Sequence, residues 1–186
     1  MKGRELIIGV TGGIAAYKAA GLVSRLVQAG AGVSVVMTAA ATRFVGPATF
    51  KALTGRPVGT SVFSQPESPL GAHIELAQKA DLMCVAPATA NFLGKAAQGI
   101  ADDLLSTLYL SFGGPVYVAP AMNTVMWNKP GVQRNVQQLR ADGVLVIDPE
   151  EGWLSCRAQG AGRMADPDVI FEVLRARLTT EESSPP

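Results

Sequence analysis

The stretch LIIGVTGGIAAYKAAGLVSRLVQAGAGVSVVM, residues 6–37, contains the pattern that decides the fold. Its first five residues, 6–10, form a continuous apolar run that predicts a buried strand. Residues 14–29 then repeat apolar side chains at helical spacing, and Gly30 is a typical C-terminal stop for a helix. Residues 33–37 predict a second buried strand. A strand–helix–strand unit of this kind requires a parallel sheet with a right-handed crossover.

The same alternation of strands and helices continues along the chain. Further strands are predicted at 81–86, ending at Pro87, at 116–119, ending at Pro120, and at 144–147. The patterns predict helices at 42–54, at 73–79, at 91–112 in two pieces broken near Gly99, at 130–141 and at 167–178. Residues 57–69 are rich in Gly, Ser and Pro and predict a loop with at most a short strand. The predicted fold is therefore an α/β, doubly wound, Rossmann-like parallel sheet flanked by helices.

Length and composition favour a single domain. We assign residues 1–178 to that domain and expect the polar, proline-ended residues 179–186 to form a disordered tail. Lys plus Arg number 16 and Asp plus Glu 15. This balance gives no sign of nucleic acid or of an acidic membrane as a partner. Hydrophobic residues make up 48% of the chain, which buried parallel strands or a close-packed oligomer would explain.

Cysteine and histidine are scarce in this chain. It has two cysteines, Cys84 and Cys156, and a single histidine, His73. This composition does not resemble a secreted disulfide scaffold, and it cannot make an ordinary structural zinc site. We therefore expect a cytoplasmic protein without a metal, in which any imidazole chemistry must use His73.

Ligands of doubly wound sheets bind beyond the carboxyl ends of the strands, at the switch point. That rule selects the loops 11–15, 38–41, 87–91 and 120–127. In the first loop, Gly12 and Gly13 let backbone N–H groups approach an anion at a helix N-terminus, although a tight turn alone would also require glycine. The spacing is not GxGxxG, and the second strand ends at Thr38 rather than at an acidic residue. These features favour a mononucleotide or a flavin phosphate over NAD.

Two of these loops contain amides that suit a ligand. Small residues at 87–90 let a flat ring approach the backbone, and Asn91 offers both a donor and an acceptor. A helix N-cap at Thr89 or Asn91 is the alternative. In the next loop, Asn123 is a lone amide among apolar side chains, which suits the orientation of a carboxylate or a flavin edge in a dry pocket. A capped loop with Met and Trp in the core is the alternative there.

Three other features could be functional or structural. His73 begins a short helix and is either a catalytic or a structural histidine. Residues 152–166, GWLSCRAQGAGRMAD, combine a cysteine with two arginines and show no periodicity, which predicts a lid or a disordered segment. Cys84 lies in the middle of a predicted strand and is expected to act as a small buried hydrophobic residue.

Four motifs together resemble those of the flavin-containing cysteine decarboxylases. They are GVTGGIAAYK (9–18), HIEL (73–76), APATAN (86–91) and PAMNTVMW (120–127), and they occur in the family's order. The resemblance extends from about residue 5 to 178. Cys156 followed by GAGRM (160–164) is similar to the branch that acts on 4'-phosphopantothenoylcysteine in coenzyme A biosynthesis. Two positions depart from it, because Thr89 stands where relatives often have Ser, and Arg157 where they often have Gly.

The resemblance implies a cofactor, a reaction and an assembly. FMN would oxidise the substrate thiol, CO₂ would leave, and return of the electrons would give 4'-phosphopantetheine. By the same resemblance, His73 is the acid/base, Asn123 holds the substrate carboxylate and Cys156 donates a proton. The other substrate-binding residues are Ala121, Met122 and Arg163. The cofactor-binding residues are Gly12, Gly13, Ile14, Ala15, Thr38, Ala88, Thr89, Ala90 and Asn91. The family forms homotrimers or homododecamers with sites at subunit interfaces.

Three alternatives to this assignment remain open. A peptidyl-cysteine decarboxylase of the lantibiotic type shares the His and Asn motifs but lacks the segment with Cys156. A flavin prenyltransferase would lack both the His motif and the Pro-x-Met-Asn motif. Regulatory phosphatase subunits in this family usually carry long acidic tails, whereas the tail here contains only Glu181 and Glu182.

Overall fold

A five-stranded parallel sheet forms the centre of the protein. The structure, a computed structural model, describes residues 1–62 and 72–180. The sheet has the order β2-β1-β3-β4-β5, and two further strands form a separate antiparallel hairpin, β6-β7. The strands are β1 (Glu5–Val10), β2 (Gly32–Met37), β3 (Leu82–Ala88), β4 (Val116–Pro120), β5 (Leu145–Val146), β6 (Glu150–Trp153) and β7 (Gln159–Arg163). The prediction of a doubly wound α/β sheet is confirmed.

Helices cover both faces of the sheet. They are α1 (Ala16–Gln28), α2 (Pro47–Thr54), α3 (Ala72–Lys79), α4 (Ala90–Gln98), α5 (Leu104–Ser111), α6 (Thr124–Trp127), α7 (Pro130–Ala141) and α8 (Pro167–Thr180). Helices α1, α2 and α8 pack together on one face, and α3, α4, α5 and α7 pack on the other. None of the helices in the described ranges has the length and hydrophobicity to span a bilayer.

Strand β1 explains why the sequence opens with an unbroken apolar run. Leu6, Ile8 and Val10 pack into the core layer beneath α1 and α8, whereas Ile7 packs into the opposite layer. Each of these four side chains is at most 1% exposed. A strand with helices over both faces buries every side chain, so its sequence does not alternate between apolar and polar residues.

Two predicted boundaries at prolines are wrong. The single helix predicted at 42–54 is a 3₁₀ turn at Ala41–Arg43 followed by α2, which begins at Pro47. Proline lacks the N–H that a helix interior uses, but it suits the first turn of a helix. Strand β3 continues through Pro87 to Ala88, two residues past its predicted end. The pairing with β4 shifts register between Val85 and Ala88, and such an irregularity accommodates a proline.

Other boundaries are confirmed or move slightly. Gly99, with a φ of 66°, ends α4 and separates it from α5 as predicted, and α7 has its predicted bounds. Strand β5 is shorter than the predicted 144–147. Helix α8 extends to Thr180, so the predicted disordered tail begins two residues too early, and its remainder, 181–186, lies outside the described residues. Most of the loop predicted at 57–69 also lies outside them.

Candidate functional site

A cavity of about 1060 Å³ opens at the carboxyl ends of the parallel strands, beside the point between β1 and β3 where the strand order reverses. All four predicted loops contribute to its wall. The candidate residues that line it are Gly12, Gly13, Ile14, Ala15, Thr38, Thr89, Ala90, Asn91, Ala121, Met122, Asn123, Cys156 and Arg163. The wall is mainly apolar, with a few polar groups at defined positions, as in most small-molecule sites.

Thr11 joins the first and third loops of the cavity. Its hydroxyl donates a hydrogen bond to the Pro87 carbonyl at 2.7 Å and accepts one from the Thr89 N–H at 2.9 Å. The residue is only 1% exposed. Thr11 was not among the predicted binding residues. A threonine directly after a buried strand could have suggested it, but the sequence does not show which loop lies within reach.

The glycine turn presents unpaired backbone donors to the cavity. A Cβ at Gly12 would lie 2.3 Å from the Ala40 Cβ, so only glycine fits the close contact between this turn and the loop after β2. A Cβ at Gly13 would meet nothing closer than 3.6 Å. The N–H groups of Ile14 and Ala15 precede α1 and have no backbone acceptor in the described part of the chain. These donors suit an anion, as the sequence predicts.

Thr38, Thr89 and Asn91 are polar side chains at the cavity wall that differ in their hydrogen-bond partners. Thr89 is the N-cap of α4, where its hydroxyl accepts from the Phe92 N–H, and Thr38 accepts from the Ala41 N–H at 3.2 Å. The alternative of an N-cap in the third loop therefore applies to Thr89 and not to Asn91. Asn91 is exposed within α4, and its amide makes no hydrogen bond with described residues, which leaves it available to a ligand.

Asn123 caps a helix and also lines the cavity. It is the N-cap of α6, and its Oδ1 accepts from the Met126 N–H at 3.0 Å. Its Nδ2 makes no hydrogen bond with the described residues, and the side chain lines the cavity. An N-cap needs an acceptor and an anionic ligand needs a donor, so one amide can serve both.

Of the two alternatives predicted for 152–166, the disordered segment is wrong, because these residues contain most of the hairpin β6-β7, and the lid stays a prediction. The hairpin packs on the 122–124 loop through glycines on one face of β7. A Cβ at Gly160 would lie 2.6 Å from the Thr124 Oγ1, and one at Gly162 would lie 2.4 Å from the Met122 carbonyl oxygen. The Met122 N–H donates to the Gly162 carbonyl at 2.9 Å. The two glycines are two residues apart, which is the spacing of residues on one face of a strand. This sign of a strand was overlooked in the sequence.

The hairpin tip presents Cys156 to the cavity. The Arg157 N–H donates to the Leu154 carbonyl at 2.9 Å, and the Leu154 N–H donates to the Ala158 carbonyl at 2.8 Å. Cys156 is an exposed free thiol that lines the cavity. Arg157 follows it with a φ of 63°, a left-handed conformation that favours glycine. Glycine would therefore adopt the backbone conformation of position 157 at a lower steric cost than arginine does.

Two predicted site residues lie outside the cavity wall. Ala88 is fully buried at the end of β3, where its side chain packs in the core and its carbonyl accepts from the Ala121 N–H. It therefore supports the site through its backbone only. His73 lies on α3, which packs against α5, and its buried Nδ1 has no hydrogen-bond partner among the described residues. Within one chain, then, His73 is not brought together with Asn123 and Cys156.

Further ionisable groups are Lys95 and Asp103 at the cavity wall and Cys84 in the core. Lys95 and Asp103 line the cavity and form an ion pair at 2.8 Å, and neither was predicted from the sequence. Hydrogen bonds to Asp102 and Asp103 raise the pKa of Lys95. Burial raises the pKa of Cys84 to about 12, which agrees with its predicted role as a small hydrophobic residue. No group of three or more His, Cys, Asp or Glu in the described residues could hold a metal.

This arrangement defines a class of protein: a doubly wound α/β protein with a glycine turn and a mainly apolar cavity at the carboxyl ends of its strands. The flavoprotein family model matches residues 1–179, and the chain belongs to that family.

Two bacterial proteins are similar to this chain over almost its whole length. The chain is 46% identical over 185 residues to the coenzyme A biosynthesis bifunctional protein CoaBC of Bacillus subtilis, covering 100% of this chain and 46% of that protein. It is 45% identical over 182 residues to the protein of the same name from Mycobacterium tuberculosis, covering 98% and 43%. The chain thus spans about half the length of these relatives.

Solved structures share the fold over almost the whole chain. A PPC decarboxylase with a cysteine-to-serine mutation, in complex with pantothenoylaminoethenethiol, has a TM-score of 0.85 and 30% identity, covering 96% of this chain and 100% of that one. The FMN-dependent cysteine decarboxylase SpaF has a TM-score of 0.80 and 35% identity, covering 94% and 97%.

Gly12→Ala should destabilise the fold, because the new methyl group cannot fit against Ala40. Overpacking of this kind costs about 1–3 kcal/mol, which corresponds to a fall in Tm of roughly 2–12 °C. Gly13→Ala is the matched control, since its Cβ would make an ordinary contact. Thermal unfolding of both variants measures the difference, and equal Tm values would contradict the close approach at Gly12.

Arg157→Gly should stabilise the hairpin, because glycine adopts a left-handed φ without the steric cost of a side chain. The gain is expected to be about 1 kcal/mol. Amide hydrogen exchange of residues 150–163 should therefore slow in this variant. Arg157→Ala is the control, since it removes the charge and keeps a Cβ; slower exchange in both variants would attribute the effect to charge instead.

Proposed function

We propose that the chain is an FMN-dependent decarboxylase that converts 4'-phosphopantothenoylcysteine to 4'-phosphopantetheine, a step of coenzyme A biosynthesis. The observation that carries this proposal is the hairpin that brings Cys156 to a cavity already lined by Asn123. The names of the CoaBC relatives and of the PPC decarboxylase structure support it.

The residues present fit FMN. The Ile14 and Ala15 N–H groups lie at the start of α1 and have no backbone acceptor in the described part of the chain, and such donors suit the cofactor's phosphate. Thr38 can add its hydroxyl, while Thr89, Ala90 and Asn91 present small and polar groups to the ring. When bound, FMN supplies the two-electron oxidation of the thiol-bearing carbon and the return of those electrons after CO₂ has left.

Asn123 binds the substrate carboxylate in this proposal. Its Oδ1 is held by the Met126 N–H, which fixes the amide plane and leaves Nδ2 to donate to the anion. Ala121 and Met122 line the cavity beside it and exclude water. In an apolar site a single donor to a carboxylate stabilises it more strongly than in water. The loss of CO₂ removes the negative charge of the carboxylate. The Asn123 Nδ2 then binds this end of the product more weakly, which favours its release.

Cys156 donates the proton that the substrate carbon needs after decarboxylation. Cysteine thiols as a class are far more acidic than serine hydroxyls, which makes a thiol the better proton donor at this position. The docking of Gly160 and Gly162 on the 122–124 loop holds the hairpin, and with it the thiol, over the cavity. The two residues that act on the substrate are therefore carried by segments in direct contact.

His73 is the acid/base at the oxidation and decarboxylation stage, and we place it in the site of a neighbouring subunit. Its absence from the described cavity wall of its own chain supports this arrangement. Large apolar side chains around the cavity are exposed, including Ile14 at 54%, Tyr17 at 61% and Trp153 at 68%. An interface between copies of the chain would cover them. The proposed assembly is a homotrimer or a homododecamer.

The proposed location is the cytoplasm. Cys84 and Cys156 are both free thiols, which suits a reducing compartment. A second candidate function is oxidative decarboxylation of a peptidyl cysteine. The likeness to SpaF, an FMN-dependent cysteine decarboxylase, supports decarboxylation of a cysteine in both candidates. The two candidates differ in their product, because the peptidyl enzymes would release the oxidised ene-thiol.

Cys156→Ser should separate the two halves of the reaction. CO₂ should still leave, but the two electrons taken from the substrate should remain on the flavin. Without oxygen, a product lighter than 4'-phosphopantetheine by the mass of two hydrogen atoms should therefore accumulate to at most one molecule per bound flavin. Mass spectrometry of the reaction, with the visible flavin spectrum as a control for bound cofactor, measures this. If the wild type also yields only the lighter product, the peptidyl-cysteine function replaces the proposed one.

Asn123→Asp should bind the substrate more weakly than Asn123→Ala. Aspartate keeps the N-cap of α6 but places a negative charge next to the substrate carboxylate, whereas alanine loses the cap, at a cost of about 1 kcal/mol in stability. Thermal unfolding should therefore rank Asp above Ala in stability, while KM should be higher for Asp than for Ala. Equal KM values for Asn123→Asp and the wild type would exclude the contact with the carboxylate.

Mixed oligomers of His73→Asn and Cys156→Ser subunits should recover activity that neither variant has alone. General acid/base groups contribute ~10²–10⁴-fold, so the activity of His73→Asn by itself should be low. Co-expression of the two variants with different tags, followed by tandem purification and an assay for 4'-phosphopantetheine, tests this. No recovery in mixed oligomers would place His73 in the site of its own chain.

A further inference from the structure

Two cations line the cavity where the hairpin meets α1. Lys18 lies in the first turn of α1, and Arg163 is the last residue of β7. The Lys18 Nζ donates only a long hydrogen bond, 3.5 Å, to the Met164 carbonyl. Among the residues that the structure describes, neither cation has an ion pair, and the Arg163 guanidinium has no hydrogen bond. Their charges are therefore available to a ligand.

The two cations also repel each other. Burial, followed by the positive charge of Arg163, lowers the pKa of Lys18. Asp166 and Glu150 act in the opposite direction, but among the described residues neither forms an ion pair with Lys18, and Glu150 accepts a hydrogen bond from the Asp166 N–H. An anion between Lys18 and Arg163 would remove the repulsion between them, and it would be held by charge-assisted hydrogen bonds.

The hairpin leaves room for the Arg163 side chain. A Cβ at Gly152, on the neighbouring strand β6, would lie 3.0 Å from the Arg163 Nη1 and 3.1 Å from its Cδ. The arginine therefore lies across β6 at the position of a residue without a side chain. This contact supports the guanidinium at the cavity wall, where its planar donors can bind two oxygens of one ligand.

We propose that Lys18 and Arg163 bind the phosphate monoester of the substrate and select the phosphorylated form over the unphosphorylated one. The proposal rests on the proposed function, which supplies the substrate. The cofactor's phosphate is accounted for by the N–H groups of the glycine turn and by Thr38. Arg163 belongs instead to the hairpin of Cys156, on the side of the cavity assigned to the substrate.

Calorimetry on the flavin-loaded protein with two probes, 4'-phosphopantetheine and pantetheine, tests the proposal directly. The wild type should bind the phosphorylated probe more tightly. Lys18→Met and Arg163→Met should each weaken its binding about 10- to 100-fold, the usual effect of losing a charged hydrogen bond. Neither variant should change the binding of pantetheine. Lys51→Met and Arg134→Met, exposed cations outside the cavity, are the matched controls.

Conservative variants and the flavin spectrum distinguish binding of the substrate's phosphate from binding of the cofactor's phosphate. Lys18→Arg and Arg163→Lys keep the charge and should restore most of the preference for the phosphorylated probe. The ratio of flavin to protein absorbance should be unchanged in every variant. If Lys18→Met or Arg163→Met loses flavin and weakens both probes equally, the cations bind the cofactor's phosphate and the proposal is wrong. Equal binding of the two probes by the wild type would also overturn it.

The proposed function is judged by a separate measurement. Release of CO₂ from 4'-phosphopantothenoylcysteine and from its unphosphorylated form is followed with the wild type. If neither is decarboxylated while the phosphorylated probe still binds through Lys18 and Arg163, the function fails and the phosphate site stands. If both are decarboxylated with the same KM, the function stands and the phosphate site fails.

Discussion

The hydroxyl of Thr11 is the contact on which the geometry of the cavity depends. It donates to the Pro87 carbonyl and accepts from the Thr89 N–H. The hydroxyl therefore joins the ends of β1 and β3, the neighbouring strands between which the strand order reverses. A parallel sheet opens a crevice at this point because the chains leave β1 and β3 toward opposite faces. A buried hydroxyl with both roles satisfied is costly to replace, since an apolar side chain would leave the Thr89 N–H without its acceptor. The Pro87 carbonyl would keep only the longer hydrogen bond from the Thr11 N–H, at 3.3 Å. The glycine turn and the start of α4 therefore keep a fixed separation.

The hairpin is the second rigid part of the site, and backbone contact holds it in place. Gly160 and Gly162 let β7 approach the 122–124 loop more closely than any side chain allows. Cys156, at the tip, and Asn123, on the loop beneath, are thus positioned by the same contact. The hydrogen bond from the Met122 N–H to the Gly162 carbonyl adds to this contact and makes the hairpin part of the cavity wall.

Much of the fold follows from the sequence, because strands buried on both faces leave continuous apolar runs. The four loops at the carboxyl ends follow as well, since the topology places them at one edge. The hairpin was missed because its strands are short and rich in glycine, so packing against the 122–124 loop forms them rather than hydrophobic periodicity. Lys95 and Asp103 were missed because their position at the cavity depends on the turn between α4 and α5. His73 was selected because it is the single histidine of the sequence, and rarity does not predict where a residue lies: the structure places it outside the described cavity wall of its own chain.

The polar groups of the cavity show why particular residue types occur there. Thr11, Thr38, Thr89 and Asn123 each use an oxygen to accept a backbone N–H. An acceptor fixed in this way holds the local structure and orients the donor hydrogens that remain. Aspartate would cap α6 as well as Asn123 does, but it has no hydrogen to offer an anion. Alanine would offer neither group. The amide at position 123 both caps α6 and keeps an N–H donor in a fixed plane, so the side chain that meets the requirement of the fold also offers a donor to the cavity.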